Sequence, residues 1–172
     1  MKKKYLLALV LLLMGGNRLF SHPHIFIVPE IKFIYQNNEI KQVRVRWLFD
    51  AMSTFQILNV FDKNRNKRLD RSEKNQIKKK YFPALRQFNY FTFLAIERKS
   101  ISIQPVQFKP YLRGKQLVYE FFLIPKVKGK SLLLYFFDKT NYVAFDLRAN
   151  KIKVNSLVKK KIQDNKIYLK FK

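Results

Sequence analysis

The chain has 172 residues, no cysteine, and 36 Lys and Arg against 11 Asp and Glu, for a formal net charge of +25. That length suits one domain with a real core, and the missing cysteines exclude disulfides and a lipid-modified cysteine anchor. The charge surplus attracts polyanions such as nucleic acid, anionic headgroups or acidic glycans, but it is spread along the whole chain, as in a surface solvated by lysines.

Lys2, Lys3 and Lys4 precede an unbroken apolar run of ten residues, Tyr5 to Met14, which Gly15, Gly16 and Asn17 then interrupt. A basic start, an apolar stretch and a small-residue exit are the layout of a secretory signal peptide. The run is half the roughly 20 residues that a membrane-spanning helix needs. Ser21 suits the residue before a cut, although Leu19 is larger than peptidase prefers two residues earlier. A cut after Gly16 and an uncleaved membrane tether fit the same residues. Removing residues 1–21 takes four basic residues (Lys2, Lys3, Lys4, Arg18) and no acidic one, leaving 151 residues at +21. The resulting expectation is an exported, periplasmic protein, which argues against a nucleic-acid partner. Peripheral contact with an anionic membrane surface is compatible with it.

His22 and His24 are the only two histidines. A cut after Ser21 would start the mature chain at His22, with a free α-amine beside its own imidazole and a second imidazole two residues on. In an extended chain residues i and i+2 face the same way, about 6.6 Å apart at ~3.3 Å per residue. Two imidazoles and an amine form a compact nitrogen donor set for zinc, nickel, cobalt or copper. Pro23 has no N–H, so its nitrogen cannot join as a deprotonated amide. Further ligands must come from the few acids elsewhere: Asp50, Asp138 or Asp146. The bland alternative is a pair of exposed histidines with no role.

From Ile25 the residues alternate apolar and polar through Tyr35, and Val43, Val45 and Trp47 continue the pattern after Asn37-Asn38. This predicts a β-hairpin over residues 24–36 and 39–49. Phe55, Leu58 and Phe61 then recur at helical spacing, with Asp50 or Ser53 able to cap the helix start. A second helical stretch is predicted over 71–81, restarted by Pro83 towards Phe88. Strand alternation returns at Phe93, and Arg98-Lys99-Ser100, Arg113-Gly114, Lys128-Gly129 and Ala149-Asn150 mark turns. The expected class is α+β: a mostly antiparallel, β-sandwich-like domain over 22–172 with a helical insertion at about 51–90.

Inside the insertion, Asp62, Asn64, Asn66, Asp70 and Glu73 fall at positions 1, 3, 5, 9 and 12 of a twelve-residue stretch, with Leu69 at position 8. That is the spacing of an EF-hand calcium loop. Lys67 stands where glycine normally makes the sharp turn, at a cost of roughly 1 kcal/mol. Three acids face five bases (Lys63, Arg65, Lys67, Arg68, Arg71), so a dication would meet a repulsive field. The expected role is structural, with Asp62 and Asp70 accepting backbone and arginine hydrogen bonds. Calcium affinity is expected to be ~10⁻³ M at best.

Several of these segments together resemble a known family. They are Ser21 to Ile27, Arg46-Trp47-Leu48-Phe49-Asp50, the 62–73 loop, Asn89 to Phe93, Leu117 to Pro125 and Asp138 to Phe145. In this order they are similar to the domain-of-unknown-function family of periplasmic components that accompany nickel/cobalt- and zinc-type membrane transporters. The resemblance covers nearly all of the chain after residue 21. It implies a non-catalytic accessory protein that binds or delivers a transition metal for an inner-membrane transporter. In that family the Phe-Thr pair is often followed by histidine, where Phe93 stands here, and the loop is usually more acidic and carries the glycine. Both departures concentrate metal binding on His22 and His24. No histidine, cysteine or carboxylate pair has the spacing for nucleophilic or acid–base work, so an enzyme is not expected. The competing expectation is a basic protein that binds anionic lipid or glycan surfaces.

Overall fold

The computed structural model describes residues 25–37, 39–125, 128–140, 142–155 and 158–171. The fold is mostly β, with two sheets and one helical segment, which fits the α+β expectation. Strand β1 (Ile25–Gln36) pairs antiparallel with β2 (Glu39–Phe49), in a register that places Ile27 opposite Phe49 and Ile31 opposite Val45. Period-two alternation puts Ile27, Ile31, Phe33, Val43, Val45 and Trp47 on one buried face. Burying that row is the main reason the hairpin keeps this register, since a one-residue slip would expose all of it.

The first sheet has the order β5-β6-β2-β1-β8, where β5 is Val106–Arg113, β6 Gln116–Leu123 and β8 Val143–Phe145. The short β9 (Ile152–Val154) also joins β1. Both β8 and β9 run parallel to β1, so the sheet is mixed. The second sheet is antiparallel throughout. It comprises β3 (Thr92–Ile96), β4 (Lys99–Ile101), β7 (Ser131–Phe136), β10 (Val158–Gln163) and β11 (Lys166–Phe171), ordered β10-β11-β7-β3-β4. The apolar faces of both sheets meet in one cluster. Phe136 stacks on Phe145, and Tyr35 stacks on Phe171 at 3.9 Å between ring centroids.

Between β2 and β3 runs the helical segment: α1 (Ala51–Phe61), α2 (Arg71–Gln76), a π-helical turn Ile77–Tyr81, a short α3 (Phe82–Ala84) and a 3-10 stretch Leu85–Phe91. It is joined to the core by Phe82, whose ring stacks on Phe108 at 3.7 Å and meets Phe121 and Trp47. Trp47 is 1 % exposed and also touches Phe91, Phe121 and Phe145. Aromatic packing thus supplies the cohesion in a chain that has no cysteine to form disulfides.

Candidate functional site at the start of the first strand

His22 and His24 lie outside the described residues, so the site is built from what surrounds the chain as it enters β1. Ile25 donates its N–H to the Tyr142 carbonyl at 3.0 Å and stands opposite Val143. Phe26 donates to Ser53 Oγ at 2.8 Å, and its carbonyl accepts the Asp50 N–H at 3.1 Å. Ile27 accepts the Asp146 N–H at 2.9 Å. The first residues of β1 are therefore held on one side by the β2–α1 junction and on the other by the 142–146 segment. All three acids named as further ligands belong to these flanks or to the turn leading into them.

Asp50 caps α1: its Oδ1 accepts the Ser53 N–H at 2.7 Å, satisfying one of the helix's orphan donors. Its backbone is extended, so it both ends β2 and starts the helix. Asp138 is buried and works harder. Oδ1 accepts the Thr140 N–H and hydroxyl, and Oδ2 accepts the same hydroxyl and the Val143 N–H, all at 2.7–2.9 Å. Burial alone would raise its pKa, but the donors at Thr140, Val143 and Tyr142 favour the anion and hold it below the usual carboxylate range. A cation at Asp138 must compete with these donors, whereas Asp50 has a second oxygen to offer. Asp146 is paired with Arg148 at 2.7 Å.

The loop after α1 is closed by its own side chains. Asp62 accepts the N–H groups of Asn66 and Lys67, Asn64 accepts that of Asn66, and Asn66 accepts that of Arg68. Asp70 caps α2 by accepting the Glu73 N–H, and Glu73 answers by accepting the Asp70 N–H, a reciprocal capping box. The other Glu73 oxygen accepts the Lys63 N–H at 2.8 Å, so this 1 %-exposed carboxylate ties both ends of the loop together. The Glu73 and Ser72 donors hold Asp70 below the ordinary carboxylate pKa. Lys67 adopts φ 60° at the glycine-like position, stabilised by its 2.7 Å bond to Asp62 Oδ2. The side-chain donors to Asp70 are Asn64 and Ser72 rather than an arginine. Among the described residues no three His, Asp or Glu side chains are grouped so as to hold a metal ion.

Sequence periodicity missed one feature beside this site. Helix α1 has no charged residue in eleven, in a chain of +25, and exposes Met52 (62 %), Phe55 (61 %) and Val60 (52 %). Below it, Thr54 is buried and accepts the Leu117 N–H, tying the helix to β6. A groove of about 740 Å³ runs along Phe55, Leu58, Leu112 and Gly114. The run of uncharged residues from Ala51 to Phe61 was the available signal.

A family model described as "Protein of unknown function (DUF1007)" matches residues 7–167. No curated protein and no solved structure matches the chain.

Proposed function

The chain belongs to the family described as protein of unknown function (DUF1007), and from that premise we propose that it is an exported, non-catalytic accessory protein that binds or delivers a transition-metal ion for an inner-membrane metal transporter. The metal is its cargo. His22 and His24, with the α-amine released by a cut after Ser21, are the primary donors, and Asp50, whose Oδ1 alone is used in capping α1, is the carboxylate ligand. Asp138 keeps the facing turn in shape and is the weaker ligand. The calcium-loop pattern at 62–73 acts in this reading as a scaffold joining α1 to α2.

One observation carries the proposal. In sequence the histidine pair immediately precedes a strand whose first residues are hydrogen-bonded to the Asp50–Ser53 cap and to the Tyr142 carbonyl, and the backbones of Asp50 and Asp146 donate to Phe26 and Ile27 of that strand. The charge-free, apolar outer face of α1 next to this point suits contact with a transporter component.

Isothermal titration of the correctly processed protein with zinc, nickel and copper tests the reading. The expected result is one ion per chain, abolished in His22→Ala/His24→Ala. The α-amine titrates near ~8 and imidazole near ~6.5, and both bind metal only when deprotonated, so affinity should fall as pH drops through that range. An absence of heat with every metal on protein beginning at His22 would contradict it.

A further inference from the structure

The outer face of the first sheet carries an arrangement that neither packing nor metal binding uses. Lys153 on β9 stands opposite Lys32 on β1, and Lys32 stands opposite Arg44 on β2, so three cations sit side by side in one cross-strand row. Like charges directly opposite one another destabilise a sheet. The neighbouring row shows the usual remedy. There Glu30 faces Arg46, Arg46 binds Glu120, and Glu30 also takes Lys151 at 2.8 Å and Arg113 at 3.4 Å. Among the described residues, Lys32, Arg44 and Lys153 meet no carboxylate. They line a groove of about 280 Å³ whose only acid, Glu30, is already occupied by its own cations.

From this uncompensated row we infer that the groove is an anion site for a ligand bearing two or more clustered phosphoryl groups. Strands lie about 4.8 Å apart, so the row spans about 10 Å from Lys153 to Arg44. That is too wide for one oxyanion to satisfy and suits adjacent phosphates. Arg44 offers a planar two-pronged donor, and the lysines offer compact charges on flexible stems. Arg113 and Lys151 form the positive rim that draws such a ligand in. The sheet supplies a rigid base, because these side chains project from three hydrogen-bonded strands rather than from a loop. The ligand relieves a repulsion already built into the row, so it should stabilise the fold. The phosphates could be free or borne on a lipid headgroup.

Two probes separate these sources: tripolyphosphate, and phosphatidylcholine vesicles containing cardiolipin. Both are applied to the exported chain at matched ionic strength. Tripolyphosphate at ten times Kd should raise the melting temperature by about 3–6 °C for a domain of this size. Lys32→Gln/Arg44→Gln should abolish that rise and, at low salt, should itself melt higher than the parent protein. Lys78→Gln/Lys79→Gln makes the same charge change on the helical segment and should keep the response. Vesicle binding that is lost only in the first variant would assign the lipid-borne source and support the site equally. If both variants lose binding to the same extent, or neither probe binds, the groove is an ordinary solvated face and the inference is overturned.

Discussion

Trp47 Nε1 sits in the core with no hydrogen-bond acceptor among the described residues, while its ring packs against four phenylalanines. The residue therefore stabilises through area and shape, against the cost of an unsatisfied donor of about 1–3 kcal/mol. Trp47→Phe removes that donor with little loss of ring contact and should change stability by less than about 1.5 kcal/mol. Trp47→Ala leaves a cavity and should cost about 3–5 kcal/mol in denaturant unfolding. Asp138 is the opposite case, a buried anion with its acceptors filled. Its folded pKa lies below the unfolded value, so it stabilises above about pH 4, and that contribution is lost as pH falls through the lowered folded pKa. Asp138→Asn should cost about 1–3 kcal/mol at neutral pH, and its unfolding curve between pH 5 and 2 should be flatter than the parent's. An equally steep acid limb would remove Asp138 from the account. Which residues could be placed from the chain alone follows from the same physics. A cap at Asp50 or Ser53 was visible because a short acceptor before an apolar helical period suits that use, and the structure assigns it to Asp50. The role of Asp138 depends on the Val143 N–H five residues on, in a turn whose shape no local pattern specifies.

At the scale of elements, the β1–β2 hairpin was legible because eleven or twelve alternating residues per strand leave a single register that buries one face. The helical segment was legible for the same reason at a different period. The parallel pairings of β8 and β9 with β1 were not, since three-residue strands carry too little alternation to name a partner. Turn placement also slipped: the β3–β4 reversal falls at Glu97-Arg98, both at positive φ, and Lys99-Ser100 already belong to β4. The β10–β11 turn at Asp164-Asn165 is a recognisable pair of residues that tolerate positive φ. Helix α1 bears the element-scale prediction. Its inner residues Ser53 and Thr54 are fixed by hydrogen bonds, whereas Phe55 points outward. Phe55→Glu should leave the melting temperature within about 2 °C, because surface changes stay within about 0.5 kcal/mol. If α1 docks on the proposed transporter component, the same change should weaken co-purification with that component at least tenfold. Unchanged co-purification would mean that the apolar face is not the docking surface.

For the whole molecule, the positive charge is less uniform than composition suggests. Glu30 and Glu120 compensate Arg46 and its neighbours in one cross-strand row, while Lys32, Arg44 and Lys153 stand together with no carboxylate among the described residues. A composition count could reveal the excess but not its local clustering, because the β1–β2 hairpin sets Lys32 opposite Arg44 and only the parallel pairing of β9 with β1 adds Lys153. The proposed metal site follows the same logic: the histidine pair is plain in the chain, whereas Asp50 and Asp146 meet the start of β1 only through their backbone hydrogen bonds to Phe26 and Ile27. The proposed function requires that the chain is exported, begins at His22 after processing and holds a metal there. Native mass spectrometry of protein recovered from the periplasm and equilibrated with zinc tests this most directly. The predicted spectrum is a chain beginning at His22 that carries one ion, with the ion lost on acidification below about pH 6. A chain that begins elsewhere, or one that begins at His22 and carries no metal, would contradict it.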